Sequence, residues 1–309
     1  MKTRIIIISL LCLLGIAGCE DDNALSPSYG DKDWLAIEDD PNDPLTHLRY
    51  QVYTEQGVNI LYNDTLGREE RYDLHGNPYM YYEIWTPGYA ISSSSAPKYA
   101  LADDKADVMT TVEVMNKYLF EYLRKDKRPL AYLVVDTLRQ STSTATTPPE
   151  KYLKYLTTVC IGRIEEVKHM TDSARKSFMA ELAGLEYVDD VKGCELNADL
   201  ITECDSIRYR VKLSSEYSPV DWQRGYISKP TSTNKKVPEP ELFGFLYYNF
   251  REVSRIYSPS DQQDKASYIG LILSCTDEEI RERYKKYPAV IAKYEATREM
   301  MVNAGILEE

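Results

Sequence analysis

Lys105 to Thr137, KADVMTTVEVMNKYLFEYLRKDKRPLAYLVVDT, places an amphipathic helix directly before a buried strand. Val108, Val112, Met115, Leu119 and Leu123 recur at helical spacing, so Lys105–Arg124 has one apolar face. Leu130–Thr137 is a short apolar run and is predicted to be a core strand. Upstream, Leu45, Leu48 and Val52 mark a helix over Asp43–Glu55 that stops at Gly57. Val58–Asp64 alternates in character and Tyr79–Trp85 is aromatic and β-prone, with His75-Gly76-Asn77-Pro78 as the turn between them. Helices and strands mixed in this order, without an internal repeat, predict an α+β fold.

Downstream, Ser141–Pro149 is a Ser/Thr/Pro-rich surface loop. Val159–Met170 is strand-like, and Ser173–Val188 is helical in composition. Asp189–Pro240 is loop-rich, with a strand expected at Ser206–Leu213, and Glu241–Tyr257 is expected to be an aromatic helix. Thr276 and Glu279 form a capping-box pattern for a helix running to Tyr287, where Pro288 interrupts. A last helix is expected over Ala289–Asn303, with Gly305 just past it.

Charge narrows the partners. The formal net charge of the 309-residue chain is −12, which makes nucleic acid an unfavourable partner. Tyrosine is over-used, 26 residues against 5 phenylalanines, and its flat apolar ring with a polar tip suits contact surfaces as well as core edges. Tyr79, Tyr81 and Tyr82 are the candidate ligand contacts, because strand tyrosines alternate between faces and some must point outward. Among the body cysteines Cys160, Cys194, Cys204 and Cys275, the pair Cys194 and Cys204 closes the shortest loop and is the candidate disulfide, with free buried thiols as the alternative.

The N-terminus is read by its own logic. Lys2 and Arg4 precede the apolar Ile5–Leu14, and Ile16-Ala17-Gly18 precede Cys19. The apolar stretch is too short for a hydrocarbon core of about 30 Å. It resembles a signal peptide, residues 1–18, and the last four residues resemble the lipobox of bacterial lipoproteins, which implies lipidation of Cys19. Glu20-Asp21-Asp22 resembles a surface-export signal and is otherwise a solvated linker. Residues 19–42 are expected to be a flexible tether, and 43–309 a single body, with a helical C-terminal part from about residue 241.

Several segments together resemble one lipoprotein family, the substrate-import-associated zinc metallohydrolases encoded beside starch-utilisation-type outer-membrane importers. They are GVNILYND at Gly57–Asp64, the helix from Val108, GYISKP at Gly225–Pro230, ELFGFLYYNF at Glu241–Phe250 and ERYKKYPAVIAKYEATREMMVNAGI at Glu282–Ile306. The resemblance implies a zincin-like metallopeptidase architecture, with a small mixed sheet, a central motif helix and a C-terminal helical part. It also implies an outer-membrane, lipid-anchored location facing the cell exterior. The implied partners are a TonB-dependent transporter and its substrate-binding lipoprotein.

Such enzymes hold zinc with a helical H-E-x-x-H and a downstream acidic ligand, the Glu acting as general base. This chain has no H-E-x-x-H, and His47, His75 and His169 are its only histidines. In the best register FMAELAGLEYV, Phe178–Val188, lies on the motif helix. Ala180 and Gly184 then replace the histidines, Phe245 replaces the acidic ligand, and Glu181 remains at the base position. No metal is expected at that place and no catalytic set is intact. A second register places Glu165, His169 and Asp172 on one helix face as an alternative metal set, which would return zinc as a cofactor. The leading expectation is a non-catalytic accessory that binds the importer, its peptide or glycan cargo, or both. The alternatives are an active metal-dependent hydrolase with an unconventional site and a structural adaptor.

Overall fold

The computed structural model describes residues 32–87, 96–141, 143, 148–192, 220–221, 226–228, 236–249 and 255–308. Cys19 with its signal segment, most of the tether, the Ser206–Leu213 strand and the Cys194–Cys204 pair lie outside the described residues. The chain divides into two units, Met1–Ala36 and Ile37–Glu309, and every element named below belongs to the second. Among the described residues no helix is long and apolar enough to cross a membrane.

Helix α1, Pro44–Gln56, starts where the Asp43 carboxylate accepts the Leu45 N–H, with Pro44 in the first turn, and stops at Gly57 in the left-handed region (φ 71°). Strand β1, Asn59–Leu61, follows and is buried throughout. The alternation expected over Val58–Asp64 is corrected here: β1 pairs in parallel with a central strand, and a strand covered on both faces carries no exposed side. Strands β2, Thr65–Tyr72, and β3, Pro78–Ile84, form a separate antiparallel hairpin. Its turn is the expected one. The Asp73 carboxylate accepts the N–H groups of His75 and Asn77 at 2.8 Å each, and Gly76 supplies φ 81°. The strand paired across the turn, however, is β2 and not Val58–Asp64.

After β4, Lys98–Leu101, comes α2, Lys105–Val114, which continues as a π-turn at Met115–Leu119 and one α-turn at Phe120–Tyr122. Val108, Val112, Met115, Leu119 and Leu123 are all buried along it, as their spacing requires. The central strand β5, Ala131–Arg139, pairs in parallel with β1 and with β7, Thr158–Ile161, while β6, Tyr152–Lys154, pairs antiparallel with β7. β4 pairs antiparallel with the far half of β5, so the sheet is mixed and five-stranded. Val159–Met170 resolves into two elements, β7 and the short helix α3, Ile164–His169. Between them Gly162 lets the chain pass close by. A Cβ there would sit 2.6 Å from both the Glu150 carbonyl oxygen and Leu138 Cβ.

Helix α4, Asp172–Lys192, is the longest of the described helices. The short pairs β8, Val220–Asp221, β9, Tyr226–Ser228, and β10, Arg255–Tyr257, make a small antiparallel sheet. Among the described residues of Glu241–Tyr257 the expected helix is absent: a 3-10 turn spans Pro240–Phe243 and stops at Gly244 (φ 73°). The chain then bends at Leu246 and Tyr247, and Asn249 bridges to Tyr257. The aromatic pattern there reflects burial of Phe243 and Phe245 and not helical periodicity. Helix α5, Asp261–Ser274, was not expected, although Ser260 and Gln263 form a complete capping box before it. The cap at Thr276 and Glu279 opens α6, Asp277–Tyr284, and Pro288 opens α7, Pro288–Asn303, with Gly305 left-handed after it (φ 66°). Ala266 and Ile269 of α5 and Met300 and Met301 of α7 join the main core with Val108, Val134 and Leu182. The fold is α+β, a small mixed sheet packed with several helices.

Candidate functional site

Helix α4 crosses α5 through its small residues. Ala180 and Gly184 are buried, and a Cβ on Gly184 would lie 2.4 Å from the Ala266 carbonyl oxygen and 3.0 Å from the Gly270 nitrogen. A Cβ on Gly270 would lie 2.5 Å from Glu181 Cα. Phe245 is also buried, with the Lys293 ammonium 5.0 Å above its ring. These three positions supply no metal-binding atom in their side chains, and the backbone of α5 fills the space beside two of them. A zinc ion does not fit there.

Glu181 extends its side chain toward β6. The Tyr152 hydroxyl donates to its Oε1 at 2.9 Å, and Lys151 Nζ lies 3.5 Å from its Oε2. Tyr247 hydrogen-bonds into the same group, and Lys151 Nζ stands 4.8 Å over its ring. Burial, reinforced by the Glu181 charge, pushes both phenols well above their ordinary range, so Tyr152 and Tyr247 stay neutral donors. The carboxylate is thereby held as an acceptor in a side-chain network rather than presented to an attacking water.

This network borders a cleft of about 270 Å³ at the carboxyl end of β7, floored by Phe178 and Met170 and edged by Lys151, Arg163 and Glu166. Arg163 holds φ 61° and ψ 35°, a left-handed conformation uncommon outside glycine, asparagine and aspartate. Its guanidinium forks onto Glu166 at 2.6 and 2.7 Å.

The alternative metal set does not assemble. Glu165 and His169 lie on exposed positions of α3, but Met170 is extended (ψ 144°) and Asp172 begins the next helix. The expectation of one shared helix face is therefore corrected. Asp172 instead accepts from the Tyr118 hydroxyl at 2.5 Å and from Lys117 at 3.3 Å, which hold its carboxyl below the usual range. Among the described residues no group of three or more His, Cys, Asp or Glu is placed to hold a metal ion.

The three candidate tyrosines of β3 divide by strand alternation. Tyr81 faces the same side as Tyr79, with the Arg71 guanidinium 3.3 Å over its ring and its hydroxyl donating to Glu83. Tyr82 points the other way, beside Met80 and Ile84 and across from Arg68 and Glu70. Tyr72, Met80, Tyr82 and Ile84 are each about half exposed. Sequence reasoning chose Tyr79, Tyr81 and Tyr82 and missed Met80 and Ile84, although the period of two along β3 places Met80, Tyr82 and Ile84 on one face. Cys160 is a buried thiol on β7, pushed up to about 12 by its surroundings, and serves the core. No family model, curated protein or solved structure matches this chain.

Proposed function

We propose that this chain is a non-catalytic lipoprotein accessory of an outer-membrane TonB-dependent nutrient importer, anchored through Cys19 and built on a degenerate zincin-like body. The observation that carries the reading is the packing at Ala180 and Gly184. Where the resembling enzymes would need two imidazoles and an open metal position, this chain has a close helix crossing, and Glu181 is engaged by Tyr152. The exposed face of β3 around Met80, Tyr82 and Ile84 supports a contact role, since an aromatic and aliphatic patch rimmed by Arg68 and Glu70 suits a protein surface. It is the surface we assign to the importer, and peptide or glycan cargo is the accompanying ligand.

The test is affinity purification of a C-terminally tagged chain from gently solubilised outer membranes, with co-purifying proteins and bound metal both identified. The accessory role requires a stoichiometric transporter with its substrate-binding lipoprotein. Recovery of the chain alone with near-stoichiometric zinc sinks the proposal and restores the hydrolase.

A further inference from the structure

A second groove lies at the opposite end of the parallel strands from Glu181. It encloses about 890 Å³, at the upper end of the size range of small-molecule sites. Its wall is built from four places: the Lys127–Pro129 approach to β5, the β6–β7 turn at Tyr155 and Leu156, the last turns of α4, and the start of α5 at Asp261 and Lys265. The strand register brings the first two together, since Ala131 pairs with Thr158 and the Ala131 N–H donates to the Thr157 carbonyl at 3.2 Å.

Three features of that wall bear on ligand chemistry. First, two of its ammonium groups are paired with its carboxylates. Lys154 Nζ sits 2.8 Å from Glu186 Oε2, and Lys127 Nζ sits 2.5 Å from Asp190 Oδ1, so the groove is dense in donors and acceptors without a dominant sign. Second, it has apolar ground beside the charges: Leu156 is 87% exposed in the tight β6–β7 turn, with Leu130 half exposed next to Pro129. Third, hydrogen-bonding capacity in and behind the wall is unspent. The Glu186 side chain is only 7% exposed, and both its Oε1 and the Tyr132 hydroxyl are buried with no protein partner.

An ionic ligand would meet charges already neutralised by their neighbours and would have to compete with them. A purely apolar one would leave the paired carboxylates and ammoniums desolvated without partners. A neutral molecule that carries many hydroxyls on an apolar ring frame avoids both costs. We propose that this groove binds a neutral carbohydrate, with Lys154, held in place by Glu186, and Asp190 and Lys265 addressing hydroxyls and the Tyr155–Leu156 turn addressing a ring face. The inference deepens the cargo half of the proposed accessory role and rests on that reading for its biological setting, while the binding itself needs no importer.

The experiment is calorimetric titration of the full-length chain in mild detergent with maltohexaose, cellohexaose and xylohexaose, and with oligogalacturonate as an anionic comparison. The expected result is saturable binding of at least one neutral hexasaccharide, weakened about tenfold or more by Leu156→Ser together with Lys265→Ala. Both residues lie at the surface of the groove, and unchanged thermal unfolding of the variant shows that the fold is kept. Failure of all three neutral sugars to bind, tighter binding of oligogalacturonate, or binding indifferent to the double substitution each overturns the proposal. Importer co-purification is read separately on the unsubstituted chain. Retained co-purification with no sugar binding removes only the groove, and retained sugar binding without co-purification removes only the accessory role.

Discussion

Gly184 of α4 and Gly270 of α5 meet at the point where the two helices cross, so closely that a Cβ on Gly184 would stand 3.0 Å from the Gly270 backbone nitrogen. The same Cβ would stand 2.4 Å from the Ala266 carbonyl oxygen, a distance that only movement of a backbone could relieve. Placing an imidazole there by Gly184→His is therefore expected to wedge the helices apart. Overpacking of this kind costs about 1–3 kcal/mol and more where backbone must shift. Chemical denaturation is expected to show that loss, with no zinc retained after dialysis. A stable histidine variant that binds zinc would refute this account of the crossing.

Lys293 of α7 reaches into the protein to donate to Asp264 and, at 2.7 Å, to the Gly244 carbonyl, with both charged side chains only 16% exposed. Lys293→Met removes a cation from the part-buried Asp264 and is expected to cost about 1–3 kcal/mol. Replacing both, Lys293→Met with Asp264→Leu, is expected to recover most of that loss, because the desolvation of two charges disappears with their attraction. Urea midpoints of the two single variants and the double variant decide it.

Burial raises the carboxyl of Glu186 above its ordinary range, and Lys154 offsets only part of the shift. The folded chain thus keeps that proton to a higher pH than the unfolded chain does. Stability from this group is full below the ordinary carboxylate range and falls as pH rises through the elevated folded value. Asp277 has the opposite sign: the Tyr294 hydroxyl and Arg281 hold its carboxyl down, so its contribution is lost as pH falls through the depressed value. Unfolding free energy measured against pH is expected to lose its decline above the ordinary carboxylate range in Glu186→Gln and to keep its acid limb.

On the hairpin, Met80→Ser with Tyr82→Ser removes two half-exposed side chains from one face of β3. Substitution at such positions is expected to change stability by no more than about 0.5 kcal/mol each. If this face seats the importer, the double variant keeps its unfolding midpoint and loses the co-purifying transporter; an unchanged complex would assign the contact elsewhere.

Local physics made much of the architecture legible. Asp43 with Pro44 and Gly57 fixes the ends of α1, Thr276 with Glu279 fixes the start of α6, and the apolar stripe from Val108 to Leu123 fixes the buried face of α2. Each is a signal contained within one or two helical turns. The segment Glu241–Tyr257 misled because clustered aromatics denote burial without specifying a period, and Gly244 and the bridge from Asn249 to Tyr257 break the helix. Helix α5 carried the same kind of cap as α6, at Ser260 and Gln263, and that signal was overlooked.

The sequence by itself determined the order of most helices, that no H-E-x-x-H stands in the chain, and the alternation of the hairpin tyrosines, because composition and short-range spacing decide these. Tertiary structure alone decided that β1, β5 and β7 run parallel, that Gly184 faces Gly270, and that Tyr152 and Tyr247 close over Glu181. It also joined Leu156, Lys154 and Glu186 into one groove. These relationships connect residues tens of positions apart, and their free energy comes from packing and desolvation at the meeting surface, which spacing within a single segment does not encode.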